Sequence, residues 1–282
     1  FMMKMSFRRL GKLAVVAVLV FGGAFATVAY ATHSWGSYHW ARTANPFTLK
    51  LGDNVTAVWD AHLTNSSLDW NVSAELDTTV VTGMVSPKTC KAVTGRVEVC
   101  NSKYGKNGWL GIASIWVSGS HITKSAVKLN DTYFNTPKYN TSTWRRFVMC
   151  QEVGHAFGLD HQDEVFDNLN LGTCMDYTND PDGALLGQLD NQHPNAHDYE
   201  QLSTIYAHLD AVTTVFSSVM GKAPSALAVE HDEVVVDEEE ADTDNPSAWG
   251  QAKRHDQKGR GSLYERDLGQ GRKLFTFVIW AE

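Results

Sequence analysis

Residues 151–161 read Q-E-V-G-H-A-F-G-L-D-H, and the reading of the whole chain turns on this stretch. It closes a segment, 142–159, in which Trp144, Phe147, Val148, Cys150 and Val153 recur at helical spacing, with Gly158 as the stop. Residues four apart share one face of a helix, so Gln151 and His155 point the same way. Glu152 lies beside them, where its carboxylate reaches a water held at that face. Gly158 lets the backbone turn sharply, and His161 then returns to the same point. Two imidazoles and a side-chain amide around one point, next to a carboxylate, suit a divalent metal with a proton acceptor at hand.

A second element follows at Thr173-Cys174-Met175-Asp176-Tyr177. A methionine and a tyrosine there would by themselves be ordinary core. Together with the helix motif they give a resemblance to the metzincin zinc metallopeptidases, whose pattern is H-E-x-x-H-x-x-G-x-x-H followed by a methionine turn. The match is at Glu152, His155, Gly158 and His161, with Gln151 where the first histidine stands. Within that group the chain looks like a matrixin-like, bacterial secreted form. The Met-x-Tyr order is similar to that of astacins and serralysins, and Gly108-Trp109-Leu110-Gly111-Ile112-Ala113 resembles the edge strand on which matrixins lay a substrate peptide.

The resemblance implies a secreted zinc endopeptidase acting on protein or peptide substrates. Gln151, His155 and His161 would hold Zn2+, Glu152 would be the general base toward a zinc-bound water, and Tyr177 would help hold the reaction intermediate. Met175 and Gly158 would be structural. The implied fold is an α+β metzincin-like catalytic domain, a mixed twisted sheet with an active-site helix and a C-terminal helix. Glutamine offers only a neutral carbonyl oxygen, a weaker zinc donor than imidazole. Gln151 therefore ligates directly, or a water replaces it, or the chain is a catalytically inactive zinc- and peptide-binding relative.

The remaining sequence sets the context. Lys4, Arg8, Arg9 and Lys12 precede an apolar run, 13–20, and Ala29-Tyr30-Ala31 forms an A-x-A cleavage signal, so 1–31 reads as a signal peptide; uncleaved, it would be a membrane anchor. Export makes disulfides of the four cysteines, Cys90, Cys100, Cys150 and Cys174. Three connectivities are open. Cys90–Cys100, close in sequence and flanking a strand-like stretch, is favoured, which leaves Cys150–Cys174. A tetrathiolate zinc site lacks any C-x-x-C pair. The net charge of −8 excludes a general nucleic-acid binder.

Alternation predicts strands at Phe47, Leu49 and Leu51, then at 76–82, 96–100, 109–117 and 122–129. A helix or turn region is predicted over 58–72 around Trp59, Leu63 and Trp70, and a helix over 196–209. The aromatic stretch 33–40 reads as packing onto the core. The domain is placed at 32–210, expected as a monomer. Residues 211–282, acidic through Glu230–Glu240 and then Gly/Lys/Arg-rich, read as a largely disordered extension, apart from 274–280 as a short docking strand. Asp160, Asp163, Glu164 and Asp167 supply oxygens for a possible Ca2+ site.

Overall fold

Among the described residues a nine-stranded sheet carries the site, and β2 through β6 follow the pattern in the sequence. The computed structural model describes residues 33–185, 187–216 and 243–282. The signal-peptide reading of 1–31 and the acidic block around 230–240 lie outside the described residues. Strand β1 (His39–Trp40) is short. Strand β2 (Phe47–Asn54) buries Phe47, Leu49 and Leu51 on one face. It is followed by helix α1 (Ala57–Trp70), whose Trp59, Leu63 and Trp70 are buried, and by β3 (Leu76–Thr82). Then come β4 (Val97–Ser102), β5 (Trp109–Ser118), β6 (His121–Asn130) and the one-turn helix α2 (Asp131–Phe134).

Helix α3 (Ser142–His155) opens at Thr141, whose hydroxyl accepts from the Trp144 amide at 3.2 Å. Helix α4 (Ala196–Ile205) opens on a capping box between Asn195 and Asp198. The predicted helices ran on to 159 and 209. The first ends earlier because Ala156, Phe157 and Gly158 close the last turn with tight backbone bonds.

The sheet order is β3-β2-β4-β6-β5-β9-β8-β7, where β7 is Gln251–His255, β8 Gly261–Gly269 and β9 Arg272–Trp280. β2 pairs in parallel with β3 and β4, and β4 with β6; β5 runs antiparallel to β6. This is the mixed, twisted α+β sheet expected. Helices α1 and α3 pack together, with α3 lying across β5 and β6. Among the described residues no helix is long and apolar enough to cross a membrane.

The reading of 211–282 as a largely disordered extension needs correction for 243–282. β9 pairs antiparallel with β5 along its length, from Trp109 opposite Trp280 to Ser118 opposite Arg272. Phe275, Phe277 and Ile279 belong to the main core. β5 is buried on both faces for most of its length, so its outer backbone groups need a partner. The anticipated docking strand at 274–280 supplies it, and β7 and β8 extend the sheet beyond. One compact unit, Ala31–Glu282, thus contains both the predicted domain and this hairpin.

Candidate metal centre

Helix α3 delivers Gln151, Glu152 and His155 to the core side of β5, all with no solvent exposure. Gly158 has φ of +102°, and a Cβ there would meet the Tyr38 carbonyl oxygen at 2.7 Å. Only glycine takes that turn without strain, and the turn brings His161 back beside His155. Their Nε2 atoms lie 2.9 Å apart, with the rings perpendicular.

The other ring nitrogens fix the tautomers. His155 Nδ1 donates to the Leu159 carbonyl at 2.9 Å, which can only accept. His161 Nδ1 lies 3.0 Å from Glu164 Oε1. Burial pushes both imidazoles well below their ordinary pKa, and each is the other's neighbour or faces Arg254 and His33 besides. Both rings are therefore neutral, with the proton on Nδ1 and a bare lone pair on Nε2. Two lone pairs at 2.9 Å repel unless a cation lies between them. Neutral imidazoles oriented through Nδ1 are also how histidines ligate metals.

The neighbouring groups fit such an ion. Gln151 Nε2 donates to the Cys174 carbonyl at 2.8 Å, which fixes the amide's orientation, because a carbonyl cannot face the amide oxygen favourably. Its Oε1 is left buried without a hydrogen-bond partner, and so are both carboxylate oxygens of Glu152. Buried orphan oxygens are costly unless something charged or polar meets them. Burial also raises the Glu152 pKa well above the usual carboxylate range. The donor set suits zinc: two imidazoles, one amide oxygen and a carboxylate alongside.

Met175 lies beneath the helix: a Cβ on Gly154 would meet its Sδ at 2.7 Å. Its carbonyl accepts from the Gln162 amide at 2.7 Å, which ties the turn to the residue after His161. The Cys150–Cys174 disulfide joins helix and turn from the other side, and Cys90–Cys100 forms as favoured. Tyr177 packs its ring edge on His161 at 4.5 Å, but its hydroxyl donates to the Val278 carbonyl of β9.

Of the suggested calcium ligands, Asp160 and Glu164 come together around His161, and Asp163 and Asp167 do not join them. Asp160 Oδ2 pairs with Arg254 at 3.1 Å, Glu164 with His161 and Ser262, Asp163 with Asn168, and Asp167 with Asn179. Protein donors already satisfy these carboxylates, and the guanidinium repels a second cation. Three roles at the site escaped the sequence reading. Glu164 orients His161, the Cys174 carbonyl orients Gln151, and Phe277 stacks on His155 with centroids 4.1 Å apart and planes 12° from parallel. The alternating Phe275, Phe277 and Ile279 were the available sign that β9 has an inward face.

No protein-family model matches the chain, and no curated protein matches it either. Among solved structures it aligns with high choriolytic enzyme 1, a hatching enzyme zinc-protease from Oryzias latipes (medaka fish). That alignment has 10% identity and a TM-score of 0.35, over 61% of this chain and 96% of that one. It also aligns with myroilysin, at 13% identity and a TM-score of 0.36, over 62% of this chain and 98% of that one.

Proposed function

We propose that this chain is a secreted zinc-dependent endopeptidase with Glu152 as its general base, held closed by its own C-terminal strand. The observation that carries the reading is the pair of facing Nε2 atoms 2.9 Å apart beside the partnerless Glu152 carboxylate. His155, His161 and the Gln151 amide oxygen would hold the ion. Zinc bound there supplies Lewis acidity, acidifying a water and polarising a carbonyl.

The chain's own residues do the rest. Glu152 takes a proton on one carboxylate oxygen and returns it to the leaving amine. Glu164 and the Leu159 carbonyl hold the two imidazoles in the ligating tautomer. The edge of β5 offers main-chain hydrogen bonds to an extended peptide. β9 takes that place here, Phe277 covers His155, and the Tyr177 hydroxyl is engaged by Val278. A substrate must therefore displace β9 before it reaches Glu152, and displacement frees the Tyr177 hydroxyl as well.

The same closure favours a second reading, a catalytically inactive zinc- and peptide-binding protein. Deleting 243–282 does not separate the two, because Phe275, Phe277 and Ile279 are core. Phe277→Ala, which keeps the rest of β9 but weakens its hold over His155, does. With zinc bound, this variant should hydrolyse an unstructured protein such as casein faster than the native chain, and adding Glu152→Ala should abolish hydrolysis with zinc retained. Gln151→His should tighten zinc binding. A folded, zinc-loaded Phe277→Ala chain that cleaves nothing overturns the peptidase reading and leaves the second.

A further inference from the structure

A second group of imidazoles meets at the opposite end of β6, built from three parts of the chain. His39 and His121 are register partners in the parallel pairing of β1 with β6, so their side chains stand next to each other on one face. His208 and Asp210 follow helix α4, two residues apart, and Asp210 is tied to the β1 side by its amide bond to the Arg42 carbonyl at 2.9 Å.

The ligand-type atoms converge. Asp210 Oδ1 lies 3.3 Å from His39 Nε2, 3.3 Å from His121 Nε2 and 3.7 Å from His208 Nε2. His39 Nε2 and His208 Nε2 are 3.2 Å apart. Ligands about 2.0–2.1 Å from a tetrahedral zinc stand roughly 3.3 Å from one another, so these separations are close to the edges of such a site. His39, His208 and Asp210 form the core of the group, and His121 reaches the same carboxylate oxygen from β6.

The surroundings orient the ligands. His39 Nδ1 is 2.7 Å from the Ser37 carbonyl and must donate to it, which leaves Nε2 bare in the neutral ring. Asp210 Oδ2 accepts from the Arg42 amide and from Arg42 Nη1, both at 3.1 Å, so Oδ1 alone faces the imidazoles. Arg42 in turn is fixed by the Tyr206 carbonyl at 2.7 Å. His39 is buried, whereas the side chains of His121 and His208 are 32% and 56% exposed, which gives an ion a way in.

We propose that His39, His208 and Asp210, with His121 beside the same carboxylate oxygen, form a second zinc site that staples β1 and the segment after α4 to the start of β6. His39, His208 and Asp210 supply three protein ligands, and His121 meets the group through Asp210 Oδ1. The Arg42 guanidinium lowers the affinity somewhat by repulsion, yet its bond to Oδ2 also keeps Oδ1 aimed at the imidazoles.

The test counts zinc on the full chain dialysed against micromolar zinc, the native protein compared with His121→Ala/His208→Ala. Both replaced side chains are partly exposed, so the variant should fold, as circular dichroism would verify. It should carry one equivalent less zinc than the native chain, whatever the buried centre holds, and its outer affinity should fall by at least ~100-fold, since even outer-shell changes cost about 10–100-fold. Cobalt loading should lose one set of tetrahedral visible bands in parallel. His193→Ala, a half-exposed histidine paired instead with Asp69, should change neither. Equal zinc content in native and double-variant chains overturns the proposal and leaves an ion-pair cluster around Asp210. Loss of zinc from a separate His155→Ala/His161→Ala chain concerns the buried centre alone.

Discussion

The two histidine clusters share a geometry and differ in what surrounds them. His155 and His161 bring their Nε2 atoms within 2.9 Å under a covering phenylalanine, with His161 the more exposed at 2%. His39 and His208 bring theirs within 3.2 Å where His208 is 56% exposed. In the inner cluster the carboxylate, Glu152, has no partner, whereas in the outer one Asp210 already holds Arg42 on its second oxygen. A free carboxylate beside imidazoles can accept a proton; a carboxylate locked to a guanidinium and turned toward three imidazoles can only hold something in place. Imidazole spacing thus marks where a metal fits, and the state of the neighbouring carboxylate separates chemistry from bracing.

That contrast is broken most directly at Glu152. Glu152→Ala in the opened Phe277→Ala background should lower peptide hydrolysis by roughly 10²–10⁴-fold with unchanged zinc content, measured by steady-state kinetics beside metal analysis. Zinc lost along with activity would make Glu152 a ligand and remove the distinction. Phe277→Ala alone should cost about 3–5 kcal/mol in urea unfolding, as deletion of a buried aromatic does. A loss below about 1 kcal/mol would show that β9 is not what seals the inner cluster. Cys150→Ser with Cys174→Ser should lower stability by about 3 kcal/mol, given a separation of 24 residues, and should weaken zinc binding at Gln151 without touching the outer cluster.

Another buried histidine, His62, sharpens the comparison because it stands outside both clusters. His62 packs against Trp59, its Nδ1 has no partner, and burial, with Arg145 and Arg146 nearby, pushes its pKa down to about 4 from 6.5. The unfolded chain then binds a proton that the folded chain refuses between these values. His62 therefore contributes its full stability above pH 6.5 and loses it progressively as pH falls toward 4. His62→Gln should flatten that part of the stability–pH curve; an unchanged slope would show that the ring is not held neutral. The smallest effect belongs to the outer cluster without metal. His208→Ala in chelator should shift stability by no more than about 0.5 kcal/mol, while the rise in Tm on adding zinc should shrink.

Much of the fold was legible. The sequence pattern located β3 through β6 within a residue or two and β2 within three, and helical spacing located α3, because periods of 2 and 3.6 are written into the apolar positions themselves. Cysteine proximity located Cys90–Cys100, which left Cys150–Cys174 as the second disulfide. β7 and β8 were not legible: Gln251–His255 is mostly exposed, and Gly261–Gly269 mixes charged residues with few apolar ones. Their order comes from pairing, β8 with β9 and β7 with β8, not from an apolar face. The one local sign was Gly269-Gln270-Gly271, where Gln270 and Gly271 have φ of +54° and +73° and turn β8 tightly into β9.

The sequence by itself determined the inner cluster. Gln151, Glu152 and His155 sit on one helical turn, and Gly158 returns His161, all within eleven residues where local geometry decides. Tertiary structure alone decided that β9 pairs with β5 and covers those residues, and that His39, His121, His208 and Asp210 meet at all. Those contacts join segments up to about 170 residues apart in the chain, and no local period carries a register between strands so distant. They form because β5 has an edge to satisfy and β1 a neighbour to pair with, conditions that exist only once the sheet is assembled.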